Sequence, residues 1–125
     1  MVRNVLIVDD NPVVRKALCE LFTREEEFDV CGEAENGQDA IEWAQQLSPD
    51  LIVTDLSMPV MNGLEETRLL GQLMPAVPVI IYTSDSNQFI EKEAHAAGAS
   101  AVISKSEPIA NLVKKARSVL DEIAA

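Results

Sequence analysis

The sequence predicts an α/β domain: a doubly wound, parallel five-stranded sheet, built as five βα units, with helices on both faces. Three observations predict it. Short apolar, β-branched runs alternate with amphipathic stretches five times, at a spacing of about 25 residues. The run LIVT at residues 51–54 is almost wholly apolar, as a strand covered on both faces is. Four of the five runs stop at side chains that can do chemistry: Asp9 with Asp10, Asp55, Thr83 with Ser84, and Lys105. Strict alternation with short loops calls for right-handed crossovers. All strand ends then share one rim, outside the carboxyl ends of the sheet, where such folds bind ligands.

The elements follow in order. Val5 to Val8 form the first strand, broken at Asp9–Asp10. Asp10 or Asn11 caps the first helix and Pro12 suits its first turn, after which Val14, Ala17, Leu18, Leu21 and Phe22 recur at helical spacing. Glu25 to Glu27 read as a solvated loop. Phe28 to Ala34 is a poorer strand, interrupted by Gly32, and belongs at an edge. Asn36–Gly37 open a second helix with Ala40, Ile41, Ala44 and Leu47 inward, ended by Ser48–Pro49. Beyond the central strand, Pro59, Asn62 and Gly63 shape a turn. A helix then runs from about Gly63 to Met74, weakened at Gly71. Val79 to Tyr82 is the fourth strand. The next helix, around Gln88 to Ala97, stops at Gly98. Ala101 to Ser104 is the fifth strand, and Ser106 reads as the cap of a last helix with the stripe Ile109, Leu112, Val113, Ala116, Leu120 and Ile123.

Composition narrows the function. A chain of 125 residues makes one domain with a real core. Its net charge of −11 repels phosphate backbones and anionic membranes, which argues against direct nucleic-acid binding and favours a cation or basic partners. No stretch reaches the roughly 20 apolar residues of a membrane span, and the apolar N-terminal run is too short for a signal peptide, so a cytoplasmic location is expected. Cys19 and Cys31 lack CxxC spacing and read as buried free thiols. Trp43 and the methionines read as core or groove residues, and the single histidine, His95, as a surface or half-buried residue of its helix rather than a ligand.

The strand ends carry the chemistry. Carboxylates crowded together repel by roughly 4 kcal/mol per close pair at an effective dielectric near 20. Asp9, Asp10 and Asp55 therefore want a divalent cation, and their oxygens suit Mg²⁺. With that charge neutralised a phosphoryl group is tolerable there. Lys105 would offset its charge and the Thr83 hydroxyl would donate to it. A carboxylate in this company is the nucleophile of an aspartyl-phosphate intermediate.

The runs VLIVDDN, LIVTDLSMPVMNG, VPVIIYTS and GASAVISK resemble the receiver domain of two-component response regulators, over essentially all of residues 1–125. The resemblance implies a flavodoxin-like fold with strand order 2-1-3-4-5. It implies that Asp55 is the phosphoacceptor, charged from a phosphohistidine on a sensor histidine kinase or phosphotransfer protein. Asp9, Asp10, Asp55 and the backbone carbonyl of Ser57 would hold Mg²⁺, with Thr83 the switch hydroxyl and Lys105 the partner of the phosphoryl group. Such a domain catalyses its own phosphorylation and dephosphorylation rather than turning over a substrate, and a homodimer is compatible with it. Asp85 and Ser57 are placed to tune loss of the phosphoryl group. GLEE after Asn62 and the segment after Lys105 look most like receivers joined to a helix-turn-helix output domain. Two positions depart from the pattern: Val102 stands where a Tyr or Phe usually rotates, and Ser106 follows Lys105 where many receivers have Pro. Val102 keeps open an alternative, a protein-interaction module on the same fold that works without phosphorylation.

Overall fold

The computed structural model describes residues 2–124. Five βα units follow one another: β1 (Arg3–Val8), α1 (Pro12–Thr23), β2 (Phe28–Ala34), α2 (Gly37–Leu47), β3 (Leu51–Thr54), α3 (Gly63–Leu73), β4 (Val79–Thr83), α4 (Gln88–Ala97), β5 (Ala101–Ser104) and α5 (Ala110–Ala124). The strands form one parallel sheet in the order β2-β1-β3-β4-β5. Alternation along the central strands sorts the helices. Val5, Ile7, Val53 and Ile80 point to one face, where Leu18 and Phe22 of α1 and Leu112 and Ala116 of α5 cover them. Leu6, Val8 and Ile52 point to the other, under Ala40, Ile41 and Ala44 of α2 and Leu70 of α3. A smaller cluster of Leu56, Ile81, Ala94 and Ala99 seats α4.

Side-chain caps start the helices where the sequence places them. Asn11, not Asp10, caps α1, accepting from the Val13 and Val14 amides. Asn62 and Glu65 form a reciprocal capping box on α3, and Gly98 ends α4 at a φ of 109°. β2 is the expected edge strand. Its register against β1 slips between Val5 and Leu6, which face Val30 and Gly32, so Cys31 is the extra residue of a bulge.

Some expectations fail, each for a physical reason. Ser106 does not cap the last helix, which begins at Ala110. Pro108 disfavours helical backbone at Glu107, so the chain turns first, and Ser106 bonds the Ser104 hydroxyl instead. Ile109 and Ile123, assigned to the inward stripe, are exposed, while Val119 is buried in their stead. Ala17 is exposed, and so is Trp43. Both cysteines are free but only half-buried. The acidic loop after α1 is tied down: Arg117 donates to Glu25 at 2.9 Å and to Glu27 at 2.7 Å, which lowers the Glu27 carboxyl below its usual range.

The β3–α3 loop holds the least comfortable backbone. Met61 N–H donates to the Pro59 carbonyl at 2.7 Å, making Val60 the centre of a three-residue turn at φ 67°. Such turns are rare and strained, and a β-branched residue tolerates positive φ poorly. Val60 is 81% exposed, so no packing offsets the strain. Val60→Asn should therefore raise stability by on the order of 1 kcal/mol, read from the urea midpoint; a lowered midpoint would show the turn to be unstrained.

Candidate functional site

The site is assembled by the parallel register. Asp9 and Asp55 leave the neighbouring strands β1 and β3 at the same level, because Val8 pairs with Thr54 and the Asp55 amide donates to the Val8 carbonyl at 2.9 Å. Lys105 leaves β5 beside β4, its amide donating to the Thr83 carbonyl at 2.8 Å. Its ammonium reaches back across the rim, 3.1 Å from Asp9 Oδ2 and 3.4 Å from Asp55 Oδ1, and lies over the Tyr82 ring at 5.8 Å. Asp9 is further fixed by the Asn11 amide on its Oδ1 at 2.9 Å.

Carboxylate oxygens of Asp9, Asp10 and Asp55 lie within 4.8 Å of one another, with Asp9 and Asp55 buried and Asp10 exposed. Three carboxylates against one ammonium leave excess negative charge, and hard oxygen donors this close match a divalent cation. The electrostatics agree. Burial first, then the Asp9 charge, push the Asp55 carboxyl above its usual range, against the pull of Lys105. For Lys105, burial alone would favour the neutral amine, but the bond to Asp9 and the Asp55 charge overcome it and hold the ammonium more firmly than usual.

Thr83 is buried at the end of β4, and its hydroxyl accepts from the Asp85 amide at 3.1 Å, leaving its own proton to donate. Ser57 is exposed, with its hydroxyl 3.5 Å from Asp85 Oδ2. The structure thus brings Asp9, Asp10, Asp55 and Lys105 into one cluster. Thr83 at the end of β4 and Ser57 on the loop after β3 flank that cluster, each bonded to Asp85 rather than to Asp55.

Residues 5–117 match the family model of the response regulator receiver domain. The chain belongs to that family. It is 37% identical over 115 residues to the transcriptional regulatory protein LnrK of Bacillus subtilis, covering 92% of this chain and 52% of that one. It is also 37% identical over 105 residues to the chemotaxis protein CheY of Halobacterium salinarum, covering 84% and 86%. A LuxR-family two-component response regulator from Aurantimonas sp. SI85-9A1 superposes with a TM-score of 0.94 at 30% identity, over 98% of this chain and 87% of that one. The chain spans 52% of the length of LnrK and 33% of that of a protein-glutamate methylesterase/protein-glutamine glutaminase of Pyrococcus abyssi. The receiver fold and its acidic pocket fit a phosphoacceptor site. No helix among the described residues is long and apolar enough to cross a membrane.

Sequence reasoning missed one buried pair in this receiver domain. Glu66 of α3 and Thr54 of β3 are fully buried. The Glu66 Oε1 lies 2.7 Å from the Thr54 hydroxyl, and its Oε2 has no hydrogen-bond partner among the described residues. Burial pushes the Glu66 carboxyl up to about 8, with the Thr54 bond pulling weakly the other way. A signal existed: Gly63, Glu66, Thr67 and Leu70 form the buried stripe of α3 at helical spacing.

Two predictions follow from these charges. Glu66 has a folded value above its unfolded value of 4.5, so its stabilising protonated form is complete below about pH 4.5 and lost as pH rises through about 8. The unfolding free energy from urea titrations should therefore fall across that window by a few kcal/mol, at about 1.4 kcal/mol per pKa unit, and Glu66→Gln should flatten the fall. Asp55 is raised in the same sense, so its ionised form costs stability at neutral pH. Asp55→Asn should melt higher than the native protein in Mg²⁺-free buffer and lose the stabilisation that added Mg²⁺ gives the native chain.

Proposed function

We propose that residues 1–125 form one receiver domain acting as a Mg²⁺-dependent phosphorylation switch, with Asp55 as phosphoacceptor. The observation that carries this reading is the occupancy of the Asp55 carboxylate. Its Oδ1 is taken by the Leu56 amide at 2.8 Å and by Lys105, which leaves Oδ2 as the attacking oxygen. In transfer from a phosphohistidine, Oδ2 forms the new bond to phosphorus as the P–N bond breaks, and the imidazole keeps the electron pair and takes a proton. Lys105 stays an ammonium throughout and moves its charge from the carboxylates towards the phosphoryl oxygens. The Thr83 hydroxyl, already accepting from Asp85, donates its proton to one of them. Asp9, Asp10, Asp55 and the Ser57 carbonyl are the oxygens that would hold Mg²⁺, which supplies charge neutralisation when bound.

The phosphodonor in this reading is a sensor histidine kinase or phosphotransfer protein, the setting is the cytoplasm, and the site acts on its own chain rather than turning over a substrate. Phosphorylation shifts a two-state output surface, homodimerisation being one readout. The regulatory output of LnrK is the kind expected of a longer protein built on this domain. The charge of −11 assigns nucleic-acid contact to such a further domain, not to this one.

A second reading is favoured by Val102. It packs against the cluster of Leu56, Ile81, Ala94 and Ala99, and it has no ring to rotate when Thr83 moves. A module that binds its partner independently of phosphorylation would show the same partner affinity with and without beryllofluoride. A phosphorylation switch would show a change.

Acetyl phosphate with Mg²⁺ should add one phosphoryl group to the native chain, seen by intact mass, and none to Asp55→Asn. An equal adduct on Asp55→Asn would place the acceptor elsewhere.

A further inference from the structure

The Glu66–Thr54 pair lies directly behind the phosphoacceptor, and its hydrogen bonds continue to it. The Thr54 hydroxyl lies 2.7 Å from Glu66 Oε1 and 3.1 Å from the main-chain carbonyl oxygen of Asp55. That carbonyl belongs to the peptide whose N–H, on Leu56, donates to Asp55 Oδ1 at 2.8 Å. One peptide plane is thus held at its oxygen by Thr54 while its hydrogen holds the phosphoacceptor carboxylate.

A count of protons decides the state of Glu66. Thr54 has a single hydroxyl proton and two oxygen neighbours in bonding range. If Glu66 were ionised, both neighbours would be acceptors and one bond would go unmade, while the partnerless Oε2 would be a buried bare charge. If Glu66 carries a proton on Oε1, it donates to Thr54, Thr54 donates to the Asp55 carbonyl, and each contact has one proton. A bond accepted at the carbonyl also polarises the peptide, making the Leu56 N–H a stronger donor.

We propose that Glu66 is a positioning residue for Asp55: as a neutral acid it orients the Thr54 hydroxyl onto the Asp55 carbonyl, so that the Leu56 amide aims and stabilises the phosphoacceptor carboxylate. The proposal deepens the receiver reading and rests on it for its consequence. Burial agrees with the proton count, since it pushes the Glu66 carboxyl up to about 8. Asp39 and Glu42 of α2, Glu91, Lys92, Glu93 and His95 of α4, and Glu65 and Arg68 of α3 itself are not among the causes of that shift, which are burial and the Thr54 bond. When Glu66 loses its proton, it accepts the Thr54 hydroxyl's hydrogen bond, and the Asp55 carbonyl loses its donor.

The test uses the native chain, Glu66→Gln, Glu66→Leu and Thr54→Val between about pH 6 and 9.5. The first readout is the Leu56 amide proton by NMR, in protein never exposed to a phosphodonor. In the native chain it should move with a midpoint near 8, and in Glu66→Gln, whose amide donates at every pH, it should stay at the native low-pH position. The second readout is the rate of phosphorylation by acetyl phosphate with Mg²⁺. Glu66→Gln should match the native rate at low pH and keep it at high pH. Thr54→Val should be slower by roughly tenfold, the worth of one hydrogen bond spent on positioning. Glu66→Leu should be slow at every pH if it folds; the Gln and Val variants decide the matter if it does not. A native Leu56 amide indifferent to pH, or a Gln variant that titrates as the native chain does, would overturn the proposal. A native chain whose Leu56 amide titrates but which takes no phosphoryl group would sink the phosphorylation-switch reading and leave the positioning of Asp55 standing.

Discussion

The ammonium of Lys105 closes a gap of 96 residues to Asp9 and holds Asp55 in the same grasp. Without it, two buried carboxylates would face each other at the ends of adjacent strands, where burial already raises one of them. The parallel register brings the acids together because neighbouring strands end level. The loop after β5 brings the cation, and the cation makes the pair tolerable. Everything placed on the rim inherits that arrangement, including the loop carrying Ser57 and the hydroxyl of Thr83.

The site is fixed from below as well as from above. Gly63 begins α3 against the main chain of Asp55, so closely that a side chain there would strike the Asp55 carbonyl. Its amide donates to the Leu56 carbonyl at 2.8 Å. The helix start, the peptide after Asp55 and the Glu66–Thr54 pair are therefore joined by hydrogen bonds and close main-chain contact. A base tied together in this way suits chemistry that depends on positioning and charge. The strained turn at Val60 lies in the same loop, so the discomfort in the backbone sits next to the chemistry rather than in the sheet.

How much could be read in advance differs from residue to residue. Asp9, Asp55 and Lys105 were legible because each ends an apolar run, and in a parallel sheet strand ends share a rim. Asn62 was legible as a turn residue leading into a helix, since turns depend on neighbours in sequence, whereas its capping box with Glu65 was not read. Ser106 misled because its residue type favours a cap, whereas Pro108, two positions on, decides where helical backbone can begin. Ile109 and Ile123 misled because apolar character at the two ends of a stripe says nothing of whether the sheet extends that far. Glu66 was noticed only as part of GLEE, although its spacing put it on the buried face.

By itself the sequence determined the βα alternation, the sheet order through its resemblance to the receivers, and the identity of the groups at the strand ends. These follow from local pattern: period, caps and turn residues act over a few positions. Only the tertiary structure decided which oxygens of Asp9 and Asp55 the Lys105 ammonium takes, that Cys31 bulges from β2, and that Glu66 is sealed against Thr54. Those outcomes depend on how two distant segments pack and on how much water the packing leaves, and neither is written in the spacing of residues along one strand or helix.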